Sequence, residues 1–289
     1  MEPTFGESLH AALRRLPIER LRNPPPVVAV LRLAGPIGGF GPWRGGLSLA
    51  RLAPSLARAF RLPGLAAIAL QINSPGGSPV QSALIAARLR DLAAEKKVPV
   101  FAFCEDVAAS GGYWLACAAD EIFCDANSIL GSIGVISAGF GFHELIERIG
   151  VRRRLYTAGE KKSLLDPFRP EDPEDEARLR RVQQEIHAEF IAWVKARRGA
   201  KLAADDATLF SGEFWTGRRA IALGLADGIG ELRATLRARF GERVRLRVVP
   251  VERRSLFARF APGSPMAAGW ADEAMAAAET RALWARYGV

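Results

Sequence analysis

The chain is poor in histidine and cysteine, with three of each in 289 residues, and both shortages exclude chemistry. Cys104, Cys117 and Cys124 are odd in number, sit in apolar surroundings and lack metal-ligand spacing. They predict a reducing compartment rather than a disulfide framework or a zinc site. There is no H-E-x-x-H or paired-cysteine motif either, so no metal and no cofactor is expected. No stretch reaches the ~20 apolar residues of a membrane span. The first residues, with Glu2 and Glu7, lack the uncharged apolar core behind a basic start that marks a secretory signal. The formal charge is +9, but Lys and Arg are scattered and cluster only briefly, as at Arg152-Arg153-Arg154 and Arg253-Arg254. No nucleic-acid motif accompanies them, so the expectation is solvated faces first, an anionic membrane surface second, and no nucleic-acid partner. Internal repeats are absent too.

What is present centres on Val107-Ala108-Ala109-Ser110-Gly111-Gly112-Tyr113-Trp114, a serine among residues too small to crowd it, followed by an apolar run that reads as a helix. A helix start offers unpaired backbone N–H groups and the positive end of the helix dipole, which are the conditions of an oxyanion hole. Ser110 is therefore the candidate nucleophile, and the plainer alternative is a helix cap beside packing glycines. Ser74-Pro75-Gly76-Gly77 upstream and Gly159-Glu160-Lys161-Lys162 downstream tip the balance towards the nucleophile.

A serine nucleophile needs a base, and the three histidines are poorly placed for it. His10 lies in the N-terminal arm, His143 starts a short helix, and His187 sits mid-helix between core positions Ile186 and Phe190, so each reads as a surface or capping residue. A lysine is the remaining route, provided that burial or a nearby positive charge leaves its amine neutral. Lys162 has Lys161 beside it and Leu164-Leu165 just beyond. Without the other motifs these would read as two solvated lysines on a loop.

In chain order, an arm over residues 1–26 carries Phe5, Leu9, Leu13 and Leu16 at helical spacing, expected to dock on its own protein, with a membrane surface as the alternative. Asn23-Pro24-Pro25-Pro26 breaks the chain, and a domain is predicted over 27–240. Val27–Leu31, Ala66–Ile72, Val98–Phe103 and Glu121–Cys124 read as buried strands, alternating with helices. Ser78 is the expected cap of a helix that buries Val80, Leu84, Ile85, Leu89 and Leu92, with Pro79 in its first turn. Residues 127–141 read as a functional loop, Val151–Tyr156 as a strand delivering Gly159–Lys162, and Pro173–Arg198 as the longest helix, with Leu179, Val182, Ile186, Phe190 and Val194 on one face. Residues 241–289 form a C-terminal strand and a helical arm. Strand and helix in alternation predict an α/β fold with a parallel sheet.

Together these motifs resemble the signal peptide peptidase A family and its SohB-like members, within the ClpP/crotonase fold. The match runs through Ser74-Pro75-Gly76-Gly77, Ala109-Ser110-Gly111-Gly112-Tyr113, Gly131-Ser132-Ile133-Gly134-Val135, Gly159-x-x-Lys162, Phe214-Trp215-Thr216-Gly217 and Gly224-Leu225-Ala226-Asp227. The resemblance implies a spiral of ββα units with a parallel core sheet and peripheral helices. It implies a serine endopeptidase with a Ser110–Lys162 dyad, an oxyanion hole from the Gly77 and Gly111 N–H groups supported by Gly76, and Ser132 bonded to the lysine amine. Peptides such as signal-peptide remnants or membrane-derived segments are the expected substrates. A homo-oligomeric ring is the expected assembly, cytoplasmic and peripheral at the inner membrane. A catalytically idle ring-forming scaffold and a crotonase-type acyl-CoA enzyme are the competing expectations.

Overall fold

The structure is a computed structural model that describes residues 24–38, 46–159, 161–251 and 281–288. The expected N-terminal helix and most of the C-terminal arm fall outside these residues. Three strands make the centre of the sheet: β1 (Val27–Ala34), β2 (Leu65–Ser74) and β3 (Val100–Ala109), all parallel. β1 and β2 are apolar on both faces, as a strand covered on two sides must be. Helix α1 (Leu49–Ala59) joins the first pair and contains Pro54, while α2 (Pro79–Lys96) joins the second. Ser78 Oγ accepts from the Gln81 N–H at 3.3 Å and Pro79 opens the first turn, as the sequence predicts. The buried face of α2 is Ser82, Ile85, Ala86, Leu89 and Ala93. Val80 and Leu84 are instead exposed, because the i, i+3, i+4, i+7 stripe that meets the sheet turns them away from it.

β3 is shared between two neighbours. Phe101–Cys104 pairs in parallel with β4 (Glu121–Cys124), and Val107–Ala109 pairs in parallel with β5 (Ile129–Gly131), a short strand inside the stretch expected to be irregular. The split leaves the end of β3, and the serine after it, between β2 and β5. Helix α3 (Gly111–Ala116) follows at once and is wholly buried. After α4 (His143–Arg148) comes α5 (Pro173–Arg198), capped by Asp172, whose carboxylate accepts from the Glu174 N–H at 2.8 Å. Only its second half is anchored: Phe190, Val194 and Arg198 are buried, while Val182, an expected core residue, is exposed.

The remaining elements close the sheet. After α6 (Asp206–Leu209), β6 (Phe214–Thr216) pairs antiparallel with β5 and leads into α7 (Gly217–Ala222), and β7 (Gly228–Ile229) pairs with β4. α8 (Leu232–Phe240) covers the second face of the sheet, and β8 (Arg245–Val248) adds to β1 in parallel as an edge strand. The predicted strand over Val151–Tyr156 is absent. Those residues are irregular and exposed, because the chain gives them no neighbouring strand edge to pair with.

Candidate active site

Ser110 links β3 to α3 in a backbone conformation that serine rarely takes, φ +52° and ψ −122°. This is the geometry that a type II′ turn reserves for glycine at its first central position. It is held from both sides: the Ser110 N–H donates to Gly131 O at 2.8 Å, and Ser110 O accepts from the Trp114 N–H at 3.0 Å. The serine stands at the N-cap position, yet its hydroxyl makes no cap bond. The plainer reading of Ser110 as a helix cap therefore fails on geometry.

The glycines around it are there because two backbones touch. A Cβ on Gly76 would lie 2.7 Å from Ser110 Cβ and 2.8 Å from Gly111 N, and Gly76 also has φ +98°. A Cβ on Gly111 would lie 2.5 Å from Ser82 Oγ, and one on Gly112 would strike Ser74 O. Gly77, at φ +142°, has no room either, since its backbone bridges to Ile37: Ile37 N–H donates to Gly76 O and Ser78 N–H to Ile37 O, both at 2.8 Å. Buried Ser74 turns its hydroxyl back to the Gly76 N–H at 3.3 Å. The structure thus brings Gly76, Gly77, Ser110 and Gly111 together. Among the described residues, the N–H groups of Gly77 and Gly111 meet no hydrogen-bond acceptor. Two unpaired donors beside a hydroxyl are what an oxyanion requires.

Ser132 lies one residue beyond Gly131, also at positive φ (+52°), with its N–H on Glu213 O at 2.7 Å. Trp215 explains Gly131, since a Cβ there would sit 2.7 Å from the indole. His187, which the sequence suggests is a surface or capping residue, is part-buried, with Nε2 2.9 Å from Ile133 O. It braces the loop after Ser132. Tyr287, from the far C-terminus, places its hydroxyl 3.3 Å from Ser132 Oγ. Neither residue carries a sequence signal for this role, because both act through long-range contacts rather than through a local pattern.

Lys162 is placed elsewhere. It is exposed in a turn where its N–H reaches Gly159 O at 3.2 Å, and among the described residues no hydrogen bond joins it to Ser110. Nearby, residues 137–143 and 163–179 enclose a cleft of about 550 Å³ that includes Phe140, Ser163, Leu165 and Leu179 but no part of the Ser110 site. His143 also lines this cleft. The cysteines offer no rival nucleophile. All three are free and buried, and burial pushes Cys104 well up, Cys117 up to about 12 and Cys124 up to about 11, so none is a thiolate near neutrality.

Comparison with known proteins agrees with this geometry. The model of peptidase family S49 matches residues 92–243, more than half of the chain. A Brucella abortus protein named Na(+)/H(+) antiporter NhaA is 50% identical over 98% of this chain, and the match covers 40% of that protein. The chloroplastic serine protease SPPA of Arabidopsis thaliana is 36% identical over 56% of this chain and 24% of its own length. This chain therefore spans less than half the length of either relative. Among solved structures, a lysine mutant of the 1510-N membrane-bound stomatin-specific protease, in complex with a substrate peptide, is 15% identical with a TM-score of 0.50. That match covers 82% of this chain and 97% of the other. At that identity the likeness shows the fold alone.

Proposed function

This chain belongs to peptidase family S49, and from that premise we propose that it is a serine peptidase with Ser110 as nucleophile and Lys162 as general base. The observation that carries the proposal is the strained serine between two unpaired amides. Attack by Ser110 Oγ on a peptide carbonyl places the new negative charge on the carbonyl oxygen, where the Gly77 and Gly111 N–H groups receive it. The lysine amine takes the serine proton and returns it to the leaving amine. Ser132, on the loop that braces Ser110, holds that amine in line.

Since Lys162 makes no bond to Ser110 within the chain, the base comes from a second copy, in a closed ring with head-to-tail contacts. The segment that carries Lys162 supports this. Ile136, Phe140, Leu145, Ile149, Val151 and Tyr156 are all more than half exposed, an apolar surface of the kind that marks an interface. Peptides such as signal-peptide remnants or membrane-derived segments are the proposed substrates, cleaved in the cytoplasm with peripheral contact at the inner membrane. Cation antiport, named for the Brucella relative, is not assigned to this chain. Among the described residues no helix is long and apolar enough to cross a membrane and line an ion path.

The test is labelling with a serine-reactive fluorophosphonate. Stoichiometric modification at Ser110, lost in Ser110→Ala, is expected together with peptide hydrolysis. Lys162→Arg should be inactive, because guanidinium stays protonated, while Lys161→Ala stays active. Absence of labelling from the assembled protein would reject the peptidase in favour of an idle scaffold.

A further inference from the structure

Residues 281–288 end in a turn, with the Tyr287 N–H on Trp284 O at 2.9 Å and the Gly288 N–H on Ala285 O at 3.2 Å. That turn lays Tyr287 across the mouth of the candidate site. Its hydroxyl lies 3.4 Å from Pro75 O and 3.3 Å from Ser132 Oγ, and its ring meets Phe214 edge-on, with centroids 5.2 Å apart and planes at 74°. Each of these partners adjoins Ser110. Pro75 precedes the Gly76–Gly77 turn, Ser132 follows the residue whose carbonyl takes the Ser110 N–H, and Phe214 is the β6 partner of Gly131. One side chain therefore touches both loops that flank the serine. The phenol has a single proton to donate, and the proline carbonyl can only accept, so the pocket has an aromatic wall and a polar end.

We propose that Pro75 O, Ser132 Oγ and the Phe214 ring form a subsite for an aromatic side chain of a peptide substrate, and that Tyr287 fills it in the free protein as an intramolecular competitor. The word substrate rests on the peptidase reading above; the docking of Tyr287 does not. Both hydrogen bonds are at the long end of the range and Tyr287 is only half-buried, so the hold is weak enough for an incoming peptide to displace it. Tethering compensates for weak contacts, since an attached group reaches an effective concentration on the order of millimolar. The segment thus sets a threshold that a peptide with a matching aromatic side chain overcomes and one without it does not.

The experiment compares the full-length chain with Tyr287→Ala and Tyr287→Phe. Amide hydrogen exchange reads the docking. In Tyr287→Ala it should speed up at residues 74–78 and 131–134 while β1 to β3 stay protected, which also shows that the fold is intact. Kinetics on a peptide library read the subsite. Tyr287→Ala should lower KM roughly three- to ten-fold, as expected when a weak tethered competitor is removed, with kcat unchanged. The fluorophosphonate labelling rate should rise by the same factor, Tyr287→Phe should fall between, and peptides with Tyr or Phe at one fixed position should be preferred. Unchanged exchange at both loops overturns the docking. A drop in kcat at constant KM overturns the competitor role, as does a library with no aromatic preference at any position. If the peptidase reading fails, with neither hydrolysis nor labelling at Ser110, the exchange comparison still decides the docking.

Discussion

Ser110 has a conformation that glycine would hold more comfortably, and that mismatch separates stability from function at a single residue. A non-glycine residue in such a region costs about 1–3 kcal/mol and persists only where the surroundings impose it. Here they do, through the Gly131 carbonyl on one side and the Trp114 N–H on the other. Ser110→Gly should therefore raise the unfolding free energy by about 1–2 kcal/mol while abolishing fluorophosphonate labelling. Ser110→Ala keeps the strain and should leave stability within about 1 kcal/mol of the parent. Denaturant midpoints of the two variants make the comparison, and a Ser110→Gly chain no more stable than Ser110→Ala would show that the strain is not paid at this residue. Among the described residues the non-glycine positions with positive φ are Lys97, Ser110, Ser132 and Leu165. Two of these four flank the same cleft, which is where a strained backbone carries functional weight.

At the scale of elements, the long helix α5 is tied to the turn before β7 by an ion pair rather than by apolar packing alone. Arg198, almost fully buried at the end of α5, donates to Asp227 through both terminal nitrogens at 2.7 and 3.2 Å, and through Nε to Gly224 O at 2.9 Å. Asp227 also accepts from the Ile122 N–H and from Lys201, each at 2.7 Å. Burial works against the Asp227 carboxylate, but the bonds from Arg198, Lys201 and Ile122 outweigh it and hold its pKa below 3.8. A depressed carboxylate contributes stability that is present above the unfolded pKa and lost as pH falls through the folded one. The clamp should thus be intact at neutral pH and weaken only below about pH 4. Arg198→Leu should cost about 3–5 kcal/mol at pH 7, because it leaves a half-buried carboxylate short of its main partner. The deficit should shrink in melts taken near pH 3, and a deficit independent of pH would point to lost packing instead. Much at this scale is legible in the sequence. Alternating apolar runs place β1 to β4, and Asp172 with Pro173 marks the start of α5. What is not legible depends on neighbours: a run such as Val151–Tyr156 has strand composition, but only a paired edge makes it a strand. The same holds for Val80 and Val182, whose apolarity predicts burial without saying against what.

For the whole molecule, the site divides into a part the chain completes and a part it leaves open. The glycine turns and Ser110 are buried in contacts that the sheet builds, and the sequence motifs foretell them because each glycine answers a local steric demand. Lys162 is different: its segment, the apolar residues from Ile136 to Tyr156 and the first half of α5 all face outward. An exposed apolar arm beside an incomplete site is consistent with a second copy that covers the arm and receives the lysine. Coexpression of Ser110→Ala and Lys162→Ala chains tests this directly. In a shared site each catalytic centre takes its serine from one chain and its lysine from the next. With random mixing about one quarter of interfaces then join an intact serine to an intact lysine. Hydrolysis and Ser110 labelling should recover to about that fraction of the parent, in assemblies of parental size by light scattering. If one chain supplied both residues, every site in the mixture would lack one of them. A mixed assembly of parental size with no recovered hydrolysis would therefore place both residues in one subunit, and Lys162 would have to reach Ser110 by closure of its own arm.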